Sequence, residues 1–316
     1  LKPSWIHPVQ KRKQPGFRVV AAFLICILAV MGAEAFASAP STMDTQFPGL
    51  ASGILKSARA VKMPPSVLLK TDGIEISAAE LDRVLQQTQP ELRLQLEKNR
   101  FYLLEQETAR RVIIREARAT SGILPHLSDT EAIKALFNQV TAKASVSEAE
   151  ARAFYDANKQ MVGGEPYDVV ADVIRQVLLG DKKEAAIQDY LSALEKRLAM
   201  QVNEEWVKAQ YAMARDNPVD RARTSGKPSL IEFGATGCVP CDMMQPILDK
   251  LRKNYTDRLN VVFVHVGQEK VLAARFGIRT IPVQVFYDPN GNEVFRHEGF
   301  FAEAEVNKIL PKIGVK

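Results

Sequence analysis

The chain has 316 residues, enough for two domains beside a targeting segment, and its 46% hydrophobic and 25% charged residues match an ordinary globular protein rather than a disordered or fibrous one. Its formal net charge of +5 comes mostly from Lys2, Lys11, Arg12, Lys13 and Arg18 against Glu34 alone, and without residues 1–37 it falls to +1. That balance gives no footprint for a nucleic-acid partner.

In chain order, Lys11-Arg-Lys13 and Arg18 precede an apolar run, Val19–Met31, which is followed by small residues at Ala35 and Ala37. A basic head, a short apolar core and small residues are the pattern of a secretory signal peptide over residues 1–37, cut after Ala37. The run is shorter than the roughly 18 residues of a spanning helix. Export with cleavage is therefore expected; the alternative is a membrane-tethered module anchored by residues 19–33. Cys26 lies in this segment behind bulky Phe23-Leu-Ile25, a poor lipoprotein signal. Its removal leaves Cys238 and Cys241 as the only thiols, with no spare partner to mispair in an oxidising compartment.

Residues 38–65 are rich in Ser, Pro, Gly and Ala and read as a flexible leader. Val67–Ile76 suits a short strand pair around Asp72-Gly73. Ser77 with Glu80, Ser128 with Glu131 and Ser147 with Glu150 are capping boxes, each marking a helix start. Leu92, Leu96, Leu103, Leu104, Val112 and Ile113 make residues 90–119 one long amphipathic helix. Further helices are expected over 149–158, 167–179, 183–200 and 203–214, with Asp181-Lys-Lys-Glu184 as a solvated turn.

The opening Leu69-Lys-Thr-Asp-Gly-Ile-Glu-Ile-Ser77, the long helix, Val146–Tyr155 with Asn158 and the later helices together resemble the N-terminal domain of SurA-type periplasmic chaperones and their parvulin relatives. The resemblance implies an all-α domain over residues 66–215, a periplasmic location and a role in holding unfolded clients. The apolar helix faces are either a peptide-binding cradle or the packed core of a bundle, which periodicity does not separate. No parvulin isomerase domain follows. Residues 216–228, with two prolines, a glycine and mixed charges, read as a linker.

Beyond it, Ser229–Phe233 suits a buried strand, and Met244, Ile247, Leu248 and Leu251 recur at helical spacing. Between them stands Cys238-Val-Pro-Cys241. A cysteine at the first turn of a helix faces unpaired N–H groups and the positive end of the helix dipole, both of which favour the thiolate. Cys238 is thus the expected nucleophile, and Cys241, one turn further in, the resolving thiol. A zinc half-site lacks two further ligands, and a structural disulfide over so short a loop constrains little. His265 and His297 read as packing or surface residues.

Residues 224–316 resemble a thioredoxin domain in order and spacing: the CxxC opening a helix, Pro246 inside it, Phe276-Gly-Ile-Arg-Thr-Ile-Pro282, a hairpin at Asp288-Pro-Asn-Gly291, Gly299 and a last helix. The expected architecture is therefore two domains, all-α and then an α/β thioredoxin fold over residues 229–316 with a mixed central sheet flanked by helices. The resemblance implies a cis Pro282 against the sulfurs, with Ile281, Val239 and Pro240 bordering a substrate peptide. It also places Glu232 as the buried acid that takes the proton of the resolving thiol; the alternative is a solvent-facing glutamate at a strand edge. The chain departs from the family at Gly234 and Gly237, where aromatic residues are common, at Asp242, where a lysine is common, and at Phe263, which replaces a buried lysine.

The reading is an exported thiol-disulfide oxidoreductase that needs no cofactor or metal beyond the Cys238–Cys241 pair. Its partners would be protein clients and, for a reductase, a DsbD-type membrane electron transporter. A chaperone or assembly factor, whose thioredoxin-like part merely binds peptide, is the alternative.

Overall fold

The computed structural model describes residues 41–159 and 163–316. The signal-peptide reading, the anchor alternative and Cys26 lie outside the described residues. Among the described residues no helix is long and apolar enough to cross a membrane.

Residues 41–65 are folded rather than flexible. Helix α1 (Met43–Gln46) begins at a Thr42/Thr45 capping box, and strand β1 spans Arg59–Val61. Met43, Leu50, Leu55 and Ala58 enter the core of the helical region. Glu105, only 1% exposed, accepts hydrogen bonds from the Ser52, Gly53 and Leu55 amides and the Ser52 hydroxyl at 2.6–3.2 Å. The small residues that suggested a loose leader instead let the backbone close around a carboxylate.

Strands β2 (Val67–Thr71) and β3 (Ile74–Ser77) form the expected hairpin. Strand β4 (Gln201–Asn203) pairs parallel to β1 and antiparallel to β2, giving the order β1-β4-β2-β3. The region expected to be all-α thus carries a small sheet. Two of its strands have three residues each, too few to produce a period-two pattern.

Helix α2 (Ala78–Gln86) starts at Ser77. The long helix expected over 90–119 is broken at Asn99 into α3 (Pro90–Lys98) and α4 (Arg100–Ala119). Helices α5 (Asp129–Val140) and α6 (Glu148–Ala157) start at the other two capping boxes. Helix α7 (Tyr167–Arg197) runs through the expected turn at 181–184. Lysine and glutamate there are good helix formers, and Lys182 reaches Glu150 of α6 and the Ser145 carbonyl. Helix α8 (Glu204–Ala214) is capped by Asn203.

The stretch expected as a linker holds α9 (Pro218–Arg223), capped by Asn217, with Val219, Asp220 and Ala222 buried. A proline at the first helical position costs no hydrogen bond, so the residue that suggested a break begins a helix. Then follow β5 (Ser229–Gly234), α10 (Val239–Asn254), β6 (Asn260–His265), α11 (Lys270–Arg275), β7 (Val283–Tyr287), β8 (Glu293–Glu298) and α12 (Glu303–Ile309). The sheet order is β6-β5-β7-β8, with β5 parallel to β6 and antiparallel to β7. Alternation divides the residues of β5 and β7: Leu230 and Phe286 pack with Met244, Leu248 and Val306 under α10 and α12. Ile231, Phe233, Val283 and Val285 pack with Val219 and Leu272 under α9 and α11.

The two regions are joined by more than the chain. Val271 of α11 belongs to the helical region's core. Gln95 of α3 donates to the Gln268 carbonyl at 2.7 Å and accepts from the Val271 amide at 3.0 Å. The buried Arg275 donates to Asn99 Oδ1 (3.0 Å) and to the carbonyls of Ala214 (2.9 Å) and Gly49 (3.3 Å), and it pairs with Asp220.

Candidate redox site

Strand β5 delivers the chain from the middle of the sheet into the loop Ala235-Thr-Gly237, where Gly237 has a φ of 78° that other residues rarely adopt. Cys238 is the N-cap of α10, its sulfur unused for capping, and Pro240 stands in the first turn. Cys238 and Cys241 form a disulfide with their Cα atoms 5.2 Å apart. The two sulfur-bearing residues are unequal: Cys238 is half-buried, whereas Cys241 is 1% exposed. Val239 between them is 70% exposed. A partner approaching from solvent therefore meets Cys238 and Val239 first, at the end of a helix whose first-turn N–H groups favour negative charge.

Beneath α10, positions 230, 232 and 234 of β5 share one face. A Cβ built on Gly234 would lie 3.4 Å from Cys241 Sγ and 2.9 Å from Phe263 Cε2. The missing side chain at 234 thus makes room for the Phe263 ring beside Cys241, and these two departures from the usual thioredoxin residues compensate each other. Glu232 sits one alternate position from Gly234, between Phe263 and Gln284 in the ladders of the neighbouring strands. It is fully buried, and neither of its carboxyl oxygens has a hydrogen-bond partner. Burial pushes the carboxyl up to about 8, opposed only by the neighbouring Gln284 amide. The edge-strand alternative for this residue does not hold, because β5 is paired on both sides.

The Ile281–Pro282 peptide is cis. Pro282 is buried and Ile281 half-buried, immediately before β7, whose first residue Val283 is opposite Phe233. The cis peptide therefore lies at the same end of the sheet as Gly234 and the cysteine loop. The Pro282 carbonyl, one peptide further on, accepts from the Gly299 amide at 2.7 Å, next to the exposed Phe300. On the solvent side Arg279 forms an ion pair with Glu184 of α7. Cys238, Cys241, Val239 and Pro240 are thus gathered at the head of α10, Glu232 below them, and Ile281 and Pro282 at the same sheet end. Among the described residues no cluster of three or more His, Cys, Asp or Glu side chains is placed to hold a metal ion.

His265, expected as a packing or surface residue, faces the cysteine loop instead. Its Nε2 lies 3.2 Å from the Thr236 amide and 3.3 Å from the Thr236 hydroxyl, within the loop that leads to Cys238. Gln284, the buried neighbour of Glu232, was also missed. A polar residue inside an otherwise apolar strand, Val283-Gln-Val-Phe-Tyr287, was the available signal.

A mixed four-stranded sheet with helices on both faces and a dithiol opening a central helix defines a thioredoxin-like protein. The model of the thioredoxin-like domain family matches residues 216–314. Thioredoxin-like protein slr0233 of Synechocystis sp. is 32% identical over 104 residues, which are 33% of this chain and 94% of that protein. Through this part the chain belongs to the thioredoxin-like family, whose members include thiol-disulfide oxidoreductases. The thiol:disulfide interchange protein TxlA homolog of Synechocystis sp. is 30% identical over 99 residues, 31% of this chain and 55% of that protein. The chloroplastic thioredoxin-like protein HCF164 of Oryza sativa subsp. japonica is 35% identical over 82 residues, 25% of this chain and 31% of that protein. This chain therefore spans about half or less of the length of these last two relatives.

Proposed function

We propose that the chain is an exported thiol-disulfide oxidoreductase that exchanges disulfides in protein clients. The Cys238 thiolate attacks one sulfur of a client disulfide, forming a mixed disulfide and releasing the first client thiol. Cys241, giving its proton to Glu232, then attacks the Cys238 sulfur and releases the second client thiol. Two electrons pass to the client, and the Cys238–Cys241 disulfide is left behind. The reverse sequence oxidises a client. Sustained reduction requires a donor of electrons, for which a DsbD-type membrane transporter is the proposed partner. Ile281, Pro282, Val239 and Pro240 border the client backbone, and the helical region, with its SurA-type resemblance, holds unfolded segments nearby and raises their local concentration.

The observation that carries this reading is the unequal exposure of the paired cysteines at the mouth of α10, above an unpaired buried carboxyl. Insulin reduction with dithiothreitol tests it. Cys238→Ser should abolish turnover, and Cys241→Ser should accumulate a mixed disulfide visible on a non-reducing gel. If both variants turn over insulin like the wild type, the redox reading fails, and suppression of client aggregation by a double-serine chain would support the chaperone reading instead.

A further inference from the structure

We propose that His265 is a positioning residue for the dithiol. It acts by accepting the Thr236 backbone N–H and so fixing the loop that carries Cys238. The inference rests on the oxidoreductase reading for its consequence, but the contact itself stands on geometry.

Strand β5 ends at Gly234, opposite His265 in the ladder, and the Val266 amide donates to the Gly234 carbonyl at 2.9 Å. Past that bond the backbone leaves the sheet for Ala235, Thr236 and Gly237. Among the described residues, the hydrogen bonds that hold this stretch run from Thr236 to the imidazole. A backbone amide only donates, so the Nε2 facing it must present a lone pair to accept it. Lysine or arginine at 265 has no acceptor to offer, and an apolar residue would leave the amide to solvent, with nothing in the protein to fix it.

The ring has a packing partner and a space made for it. Phe263, which also packs against Gly234, meets it edge to face, with centroids 6.5 Å apart. Gly267 leaves the space the ring fills: a Cβ there would lie 3.0 Å from His265 Cε1 and 3.3 Å from Nδ1. Gly267 has no positive φ, so its smallness serves the imidazole rather than the backbone. The same strand end is buttressed by the Gln268 and Glu269 amides, which both donate to the His265 carbonyl. Thr236 is two residues from Cys238, so a shift of the loop moves Sγ relative to the first-turn N–H groups of α10 that stabilise its thiolate.

Two measurements on the full chain test the assignment: hydrogen exchange of the Thr236 amide by NMR, and the alkylation rate of Cys238 by iodoacetamide in the reduced protein, followed by mass spectrometry. His265→Phe keeps a ring but no acceptor; it should speed Thr236 exchange and slow Cys238 alkylation by about three- to tenfold, the worth of one hydrogen bond. His265→Gln, whose Oε1 can take the place of Nε2, should restore both. Gly267→Ala, whose added Cβ makes the ring give by a few tenths of an ångström and leaves the histidine in place, should move both readouts in the same direction as His265→Phe but by less, and serves where that variant does not fold. Wild-type exchange and alkylation in His265→Phe and Gly267→Ala would overturn the proposal, as would a folded His265→Gln that fails to rescue. If Thr236 exchange follows the pattern but the wild type reduces no insulin, the positioning role stands and the oxidoreductase reading falls.

Discussion

Replacing Glu232 by glutamine gives a stability change whose sign and size follow from the site. The carboxyl is fully buried without a hydrogen bond, and burial raises it from an ordinary 4.5 to about 8. Below about pH 4.5 the group is protonated both folded and unfolded, so it costs nothing through ionisation. As pH rises towards 8 the unfolded chain gives up the proton while the folded chain keeps it, and unfolding is favoured. Each tenfold separation is about 1.4 kcal/mol, so the interval between 4.5 and about 8 corresponds to about 5 kcal/mol of stability lost by pH 8 and constant above it. Glutamine has the same shape and no proton to lose. The difference in unfolding free energy between Glu232→Gln and wild type should therefore grow from near zero at pH 4.5 to about 5 kcal/mol at pH 8 in favour of the variant. Urea unfolding of the oxidised protein, in which neither cysteine titrates, followed by circular dichroism across this range, measures it. A difference that stays flat with pH, or that shrinks as pH rises, would refute the reasoning. The same variant should slow insulin reduction while sparing the first attack by Cys238, because the proton it fails to accept belongs to Cys241.

Gly234→Ala should destabilise the protein by about 1–3 kcal/mol, because the added methyl meets the Phe263 ring at 2.9 Å. Combining it with Phe263→Leu should recover much of the loss in a double-mutant cycle read by thermal unfolding. Arg275→Met should cost about 1–3 kcal/mol, since Asn99 Oδ1 and the Ala214 and Gly49 carbonyls lose their donor while Asp220 keeps Arg223 and Asn217. It should also open residues 41–65 to limited proteolysis through loss of the bond to the Gly49 carbonyl.

The features legible from the sequence were those that follow from neighbours in the chain. The three capping boxes mark real helix starts because the serine and the glutamate are one turn apart. The CxxC could be placed at a helix mouth because a strand-like run and a helical period flank it. Where partners are distant the sequence was silent. Arg275 reads as one more surface arginine until Gly49, 226 residues away, closes over it. His265 was indistinguishable from a packing residue because Thr236 is 29 residues off. Glu232 was ambiguous for another reason: a buried strand is apolar on both faces, so only its pairing with β6 and β7 shows that the carboxyl has no route to water. The linker and the leader were misread through composition, since proline, serine and glycine also build helix starts and the turns that wrap a buried carboxylate.

Val271 has a consequence for how the chain comes into being. It completes a core whose other members lie between Met43 and Ala214, so a ribosome delivers all of those before it delivers the last piece. Until Val271 arrives, at the ribosome or on the far side of a membrane, the early region lacks one member of its core, a window in which it is more prone to association with other chains. The window closes only when α11 emerges and docks, so the redox module acts as the lid that finishes its own neighbour.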